Sequence, residues 1–312
     1  ERLGTSARVR ARLAFARGQL AELRGDRSDA EVDYRMALTE AHQDEASAPD
    51  LPSYWANLAR LVDKRDASGR EGLPLHQAAL KAAEGHYGTN HPQTAAVAYL
   101  LGSTLQRHDP ERSAEYLRRA ADIWATTHSR PHHELATSHL LLANFAMKKG
   151  DLEGAEAHAR ELAAIQAESL PAEHIGHGDP AYLLAIIHAV RGEHERAIEL
   201  ARFALSLWEP EYGSNNSVVQ RLHSDVAAML LALGRLDEAA DELDLVPARL
   251  PGAPEEISVG LRRSEIALRL GKLDDADNEI RALEHLTEES LGDHELSYMT
   301  LRALIDLRRG HL

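Results

Sequence analysis

The histidines are the residues of this chain best suited to hold a metal or to move a proton, and there are 18 of them. His132 and His133 are followed by Glu134 and then by His139. A zinc-protease helix needs two histidines four residues apart, with glutamate directly after the first. Here the second histidine comes six residues after His133, so the spacing argues against a catalytic zinc site.

The histidines also recur at a fixed interval. His91, His133 and His174 lie 42 and 41 residues apart, so in a stack of equal units they would lie along one edge. Each could cap the start of a helix, or together they could form an edge that senses protons or transition metals, because imidazole titrates near neutral pH and binds such ions. The same segments contain His86, His128, His132 and His177. The candidate metal ligands under the second interpretation are His91, His132, His133, His174 and His177.

Other catalytic patterns are missing from the sequence. No glycine-rich phosphate loop follows a predicted strand, and no serine lies in a Gly-x-Ser-x-Gly turn. The absence of cysteine excludes thiol catalysis, disulfides and cysteine-ligated zinc. We therefore predict no catalytic residues, no bound metal and no cofactor.

Charge and hydropathy restrict the partners. A formal charge of −15 would be repelled by the phosphates of nucleic acids. No apolar stretch approaches the ~20 residues of a membrane span, and no signal peptide is visible. We predict a cytoplasmic protein that binds neither nucleic acid nor membrane. Because the chain begins with Glu1 rather than Met, we expect it to derive from a longer polypeptide.

A Gly-x-x-x-x-Ala phrase organises the chain, beginning at Gly150, Gly192, Gly234 and Gly271. The first three glycines are 42 residues apart, a period typical of stacked helical or solenoid units. The phrase predicts a turn between two antiparallel helices, in which glycine ends the first helix in a left-handed conformation. A carboxylate near the start of the second helix interacts favourably with the positive end of the helix dipole. Because Ala, Leu, Glu and Arg dominate, helix is favoured nearly everywhere.

The alanine of each phrase is predicted to pack on a small residue twelve positions earlier, in the first helix. Small side chains at both places let the two helices approach closely. In the second unit, Gly72 is expected to take the place of the turn alanine. The predicted pairs are Gly18 with Ala30, Gly102 with Ala114, Ala143 with Ala155, Ala185 with Ala197, and Ala227 with Ala239.

Prolines mark the starts of first helices, near residues 92, 131 and 180, where the missing N–H of proline does no harm. We predict an all-α fold, a right-handed α-α superhelix of about seven helix pairs plus a terminal helix, extending as a single solenoid over residues 1–312. The predicted repeats are 5–45, 51–87, 92–128, 131–169, 179–211, 216–249 and 255–290, and the terminal helix is 293–309.

The repeat resembles the tetratricopeptide repeat (TPR). Trp55, Leu58, Ala59 and Val62 fall on the Trp-x2-Leu-Gly-x2-Tyr spacing of that family, and Ala197 lies where the family has a second-helix alanine. The period of about 42 is similar to the kinesin-light-chain type of repeat. The resemblance implies a curved array whose first helices line a concave face that binds a peptide or a partner helix. Similar arrays occur in bacteria attached to serine/threonine kinases and other multidomain signalling proteins.

The family pattern also implies which side chains face inward. Asn57 matches the family's ligand-clamping asparagine, whereas Leu100, Leu141 and Leu183 replace it in the next three units. The arginines and lysines among the predicted groove residues, which are listed below, could hold an acidic segment or a C-terminal carboxylate, or could merely balance neighbouring acids. The leucines instead favour an amphipathic helix or a neighbouring domain of the same polypeptide. The predicted groove residues are Asn57, Arg60, Lys64, Tyr99, Ser103, Arg107, Asn144, Lys148, Tyr182 and Ile186.

From these features we predict a non-catalytic protein-interaction or regulatory scaffold within a bacterial signalling protein, with a protein or peptide partner. One alternative is a regulatory array that senses a peptide, a metal or pH and switches an attached effector domain. Another is the accessory region of a larger enzyme such as a protein kinase.

Overall fold

A computed structural model describes residues 6–66, 70–127, 133–246, 254–284 and 291–310. Over these ranges the chain forms 15 α-helices and no strand, so the predicted all-α fold is confirmed. None of the described helices is both long enough and apolar enough to cross a bilayer. The chain divides into two compact units, Glu1–Ser169 and Leu170–Leu312, and the boundary follows the last helix of the fourth predicted repeat. A single solenoid over 1–312 stays a prediction.

The first unit consists of four helix pairs. Helices α1 and α2, α3 and α4, α5 and α6, and α7 and α8 pack pairwise, and each pair packs on the next. The first helices α3, α5 and α7 also contact one another in sequence, so they form one continuous face. The helices are α1 (Ala7–Arg24), α2 (Arg27–Ala41), α3 (Leu51–Arg65), α4 (Leu73–Tyr87), α5 (Pro92–Leu105), α6 (Pro110–Thr127), α7 (His133–Lys149) and α8 (Leu152–Ser169).

The second unit continues the pattern with three pairs and a closing helix. Its pairs are α9 with α10, α11 with α12, and α13 with α14, and α15 packs on both helices of the last pair. The helices are α9 (Gly178–Val190), α10 (His194–Tyr212), α11 (Ser217–Ala232), α12 (Leu236–Asp244), α13 (Pro254–Arg269), α14 (Leu273–Ala282) and α15 (Glu295–Arg309). Of the predicted first-helix starts, 92 is observed, 180 lies two residues inside α9, and 131 lies outside the described residues.

In five of the seven pairs the turn has the predicted glycine geometry. The described turn residues of the second and third pairs include no left-handed glycine. Gly150, between α7 and α8, has a φ of 74°, a left-handed conformation that glycine adopts without strain. The N–H of Asp151 then donates to the carbonyl oxygen of Ala146 at 2.9 Å, which satisfies a carbonyl at the end of α7. The glycines at 25, 192, 234 and 271 have the same sign of φ. The Gly-x-x-x-x-Ala phrase is therefore a helix stop followed directly by a helix start.

The small residues lie where the two helices of a pair come closest. Ala143 and Ala155 are both fully buried. In the first pair, a Cβ added to Gly18 would lie 2.7 Å from the ring of Tyr34, which is itself 0% exposed, and 3.3 Å from the carbonyl oxygen of Ala30. The side-chain volume at this position therefore sets how closely the two helices approach.

The second pair corrects the prediction for Gly72. In other pairs, such as the fourth, the turn alanine is the fourth residue of its helix, as Ala155 is in α8. Since α4 begins at Leu73, its fourth residue is His76, and Gly72 precedes the helix. The turn from α3 to α4 is longer than the others, so counting from the glycine placed the wrong residue. His76 is 2% exposed and its Nε2 lies 2.7 Å from Oδ2 of Asp63.

The third pair differs by a single residue. Because α6 begins at Pro110, the fourth-residue position falls on Ser113 rather than on the predicted Ala114. The Ser113 hydroxyl donates to the carbonyl oxygen of Gly102 at 2.7 Å, and both Ser113 and Ala114 are buried. The close approach is thus kept, with a hydrogen bond across it.

Replacing Gly18 with alanine tests the close approach. We expect Gly18→Ala to destabilise the first pair by roughly 1 to 2 kcal/mol, because its Cβ would displace the buried Tyr34 ring. The matched control is Gly85→Ala in α4, where an added Cβ meets nothing within 4 Å. That change should stabilise by up to about 1 kcal/mol through helix propensity alone. Urea unfolding of both variants measures the difference, and equal effects of the two substitutions would contradict the packing argument.

Candidate functional site

Three adjoining cavities follow the first helices of the first unit, and we call them together the groove. The first cavity (about 630 Å³) lies between α1 and α3, and the second (about 380 Å³) lies between α3 and α5. The third (about 340 Å³) lies between α6, α7 and the turn that joins α5 to α6. Arg60 lines both the first and the second cavity, and Arg107 lines both the second and the third. The cavities therefore form a continuous row.

The structure brings seven of the ten predicted groove residues to this row. Tyr99 instead packs toward the core, with its ring 5.8 Å from that of Trp124 in α6. Tyr182 and Ile186 belong to the second unit, where the Tyr182 hydroxyl donates to Asp225 at 3.1 Å. The seven residues that line the groove are Asn57, Arg60, Lys64, Ser103, Arg107, Asn144 and Lys148.

The cations of the first cavity are balanced by one acid. Both terminal nitrogens of Arg60 lie 2.6 Å from the carboxylate oxygens of Glu22, and Nζ of Lys64 lies 2.9 Å from Oε1. The Tyr34 hydroxyl also donates to Glu22, at 3.0 Å. The hydrogen bond from Arg60, helped by those from Lys64 and Tyr34 and opposed by burial, lowers the pKa of Glu22 to about 2. In the first cavity, the contacts are therefore those of the second alternative, in which the cations balance a neighbouring acid.

The cations of the third cavity differ. Arg107 and Lys148 are exposed and form no ion pair or hydrogen bond with any residue in the described part of the chain. Asn144 lies beside them and donates from Nδ2 to the carbonyl oxygen of Leu140 at 3.0 Å, as Asn57 does with Ser53 in the first cavity. Two unpaired positive charges therefore share one cavity.

The floor of the third cavity is apolar. Leu117 of α6 and Leu141 and Phe145 of α7 line it, and these residues belong to or pack on the core between the third and fourth pairs. Leu141 stands where the family's clamping asparagine would be. The cavity thus combines positive charge at its rim with an apolar base.

A compact polar cluster lines the second cavity. Nε2 of His76 lies 2.7 Å from Oδ2 of Asp63 and 3.1 Å from the hydroxyl of Thr104. The Thr104 hydroxyl lies 3.1 Å from the carbonyl oxygen of Leu100, within hydrogen-bonding distance. Oδ1 of Asp63, Nδ1 of His76 and the Ser103 hydroxyl are buried and have no partner among the described residues.

Sequence reasoning missed the acids of the groove. Glu22 lies 38 and 42 residues before Arg60 and Lys64, which is about one repeat. Charges of opposite sign one repeat apart on first helices are the signal that would have found this ion pair. Asp63 and His76 could not be paired from the sequence, because the longer turn between α3 and α4 hides their register.

Two of the candidate metal ligands cap local structure. Nδ1 of His91 accepts a hydrogen bond from the N–H of Gln93 at 3.1 Å, at the start of α5. Nδ1 of His174 accepts from the N–H of Gly176 at 3.0 Å, before α9. Both imidazoles therefore act as helix or turn caps in the manner of the capping interpretation.

The other candidate histidines lie apart from such caps. His133 is the first residue of α7 and is exposed, and Nε2 of His177 lies 2.9 Å from the carbonyl oxygen of Pro171. His132 lies outside the described residues. Within the described ranges, no three histidine or carboxylate side chains come together in a way that could hold a metal ion. The sensing edge stays a prediction.

Comparison with known proteins concerns the fold. No protein-family model and no curated protein matches the sequence. Among solved structures, a tetratricopeptide repeat protein from Parabacteroides merdae is 14% identical with a TM-score of 0.55, and the match covers 95% of this chain and 98% of that chain. PilF of Pseudomonas aeruginosa is 16% identical with a TM-score of 0.58, and the match covers 82% and 98%.

A third match is a putative kinesin light chain with nearly identical TPR-like repeats from Podosopora anserina. It is 21% identical with a TM-score of 0.51, and the match covers 61% of this chain and 90% of that chain. At these identities the likeness shows the fold alone. The chain has the fold of a tetratricopeptide-repeat array, as the sequence predicted.

The pairing of Glu22 makes the first unit sensitive to acid. Its pKa of about 2 lies below the ordinary value of 4.5 for a glutamate. Its ion pairs therefore stabilise the fold fully above pH 4.5, and this contribution is lost as the pH falls from 4.5 towards 2. We expect Glu22→Gln to lower the thermal midpoint at pH 6 and to have little effect at pH 2. Glu168→Gln, at an exposed position in α8 without an ion pair to any described residue, is the control. An equal loss at both pH values would contradict this assignment.

Proposed function

We propose that this array of tetratricopeptide-type helix pairs is a non-catalytic protein-interaction module, and that its groove binds a peptide segment carrying an acidic group next to an apolar side chain. The observation that carries the proposal is the third cavity, where unpaired Arg107 and Lys148 stand above an apolar floor. The polypeptide that supplies the segment is a partner protein or another domain of the same chain, in a cytoplasmic signalling protein of bacterial type.

Charge supports the acidic part of the ligand. The chain has 50 acidic and 35 basic residues, so its cations have a surplus of acids available for pairing. Arg60 and Lys64 follow this expectation by sharing Glu22. Arg107 and Lys148 depart from it, because no described acid reaches them. A carboxylate placed between them would form charge-assisted hydrogen bonds without displacing an existing ion pair.

Shape supports the apolar part. The base of the third cavity is formed by Leu117, Leu141 and Phe145, and its volume of about 340 Å³ is sufficient for a side chain. Burying such a side chain removes apolar surface from water, which is the main source of affinity in peptide grooves.

The polar lining of the neighbouring cavities favours an extended peptide over an apolar helix. Asn57 and Gln106 present amide groups along the row. An extended backbone has unpaired N–H and C=O groups that need such partners, whereas a helix satisfies its own. We therefore favour the acidic-segment alternative, with the leucine position supplying the apolar contact.

A peptide-display selection on the whole chain tests this function. We expect short peptides with Asp or Glu beside Leu, Ile or Phe to be enriched. The affinity of a selected peptide, measured by fluorescence anisotropy, should fall by about tenfold or more in the Arg107→Gln, Lys148→Gln double variant, since each lost charged hydrogen bond is worth about 1.5 kcal/mol or more. Raising the salt concentration should weaken binding to the wild type more than to the variant.

The control is Lys81→Gln, which removes one charge from an exposed position on α4, outside the groove. It should leave the affinity unchanged. Selected peptides without acidic residues, or peptides bound equally by the double variant and by the wild type, would overturn the proposal.

A further inference from the structure

Two histidines face each other inside the fourth helix pair. Nδ1 of His139 in α7 lies 3.1 Å from Nδ1 of His158 in α8, and the ring centroids are 5.3 Å apart. Both side chains are half-buried. These two residues are separate from the groove and from the histidines considered at the loop edge.

The repeat geometry places these two residues together. His139 lies four residues before the small residue Ala143, and His158 lies three residues after the turn alanine Ala155. The sixth pair shows the same relation, with His223 four residues before Ala227 and a carboxylate three residues after Ala239. There, Nδ1 of His223 lies 2.8 Å from Oε2 of Glu242. The contact between these two positions therefore follows from the geometry of the helix pair, since it is found in two pairs.

The fifth pair has apolar residues at these two positions. Its equivalents are Ala181 and Leu200, which pack in the apolar core. Two imidazoles at these positions in the fourth pair therefore differ from the apolar packing seen in the fifth. A hydrogen bond between them requires that one ring donate and the other accept, and it leaves the pair with exposed ring edges that can reach solvent.

The protonation state suits a metal ligand. Burial lowers the pKa of both imidazoles, and His158 lowers that of His139 further. Arg118 of α6 acts in the same direction on His158. Nearby carboxylates oppose these effects: Glu161 at both rings, Asp122 at His139 and Asp151 at His158. The pKa of each imidazole is nevertheless lowered. Both rings are therefore neutral near pH 7, which is the form that binds metals.

The separation suits a metal as well. Zinc binds histidine nitrogen at about 2.0 to 2.1 Å, so two imidazole ligands at a tetrahedral angle have nitrogens about 3.3 Å apart. The observed 3.1 Å lies close to that value, and a small rotation of either ring reaches it.

We propose that His139 and His158 form a binding site for a borderline transition-metal ion such as Zn²⁺, coordinated by both Nδ1 atoms. The ion joins α7 to α8 and so fastens the fourth pair. Because two protein nitrogens are the only ligands that the described residues bring together here, water fills the remaining positions and binding is reversible.

Zinc titration of the whole chain tests the site. Isothermal titration calorimetry with ZnCl₂ at pH 7.5 should show one zinc per chain of higher affinity than the rest. Losing an outer-shell partner of a metal ligand already costs 10- to 100-fold in affinity, so His139→Gln and His158→Gln should each weaken this zinc by about tenfold or more. His86→Gln, an exposed histidine on α4, is the matched control and should leave it unchanged.

A second readout does not depend on the variants folding. In ¹⁵N-resolved spectra of the histidine side chains, zinc should shift Nδ1 of His139 and His158 before any other imidazole nitrogen. If zinc does not bind the wild type, if it shifts other histidines first, or if both variants bind it as tightly as the wild type does, the two rings are only hydrogen-bonded to each other and the proposal is wrong.

Discussion

The close approach of the two helices at each turn is the constraint on which the rest of the structure depends. In five of the seven pairs a left-handed glycine ends the first helix. In the first and fourth pairs, for example, the fourth residue of the second helix and a small residue of the first are buried where the two helices approach closely. With so little volume between them, the helices have one register rather than several. That register decides which side chains meet inside a pair and which remain on the outer faces. The first helices α3, α5 and α7 can then contact one another and line a groove.

Within this frame, equivalent positions carry different chemistry. Arg60 and Lys64 share an acid of the preceding first helix, and the ion pairs tie the first and second pairs together. Arg107 and Lys148 occupy the same kind of position two cavities along, but no described acid reaches them. The contact across the pair shows the same variation, since it is apolar in the fifth pair, His–Glu in the sixth and His–His in the fourth. The repeat supplies the geometry, and single substitutions supply the binding sites that we propose.

Much of this was predictable because the repeat is periodic. The Gly150 phrase identified a helix stop and start from spacing alone, and seven of the ten predicted groove residues line the row of cavities. The periodic pattern failed where the length of a turn changed. Because the turn before α4 is longer, the position of the turn alanine falls on His76 rather than on Gly72. The periodic pattern also failed for Tyr99, which was predicted to face the groove but packs on Trp124. Contacts between repeats, such as that of Glu22 with Arg60, join residues about one repeat apart in the sequence. Helix propensity and hydropathy describe each residue locally, so they do not predict such contacts. The pair of His139 and His158, by contrast, follows from the register and could have been found by counting from the turn.

The central claim is that the first helices form the binding face and that the second helices support it. Hydrogen–deuterium exchange of the whole chain, measured with and without a bound acidic peptide, tests this claim most directly. We predict that added protection appears in the turn between α5 and α6 and in α7, around Arg107 and Lys148, with little change in α4 and α8. Protection concentrated in the second helices of the first unit, or confined to the second unit, would contradict it.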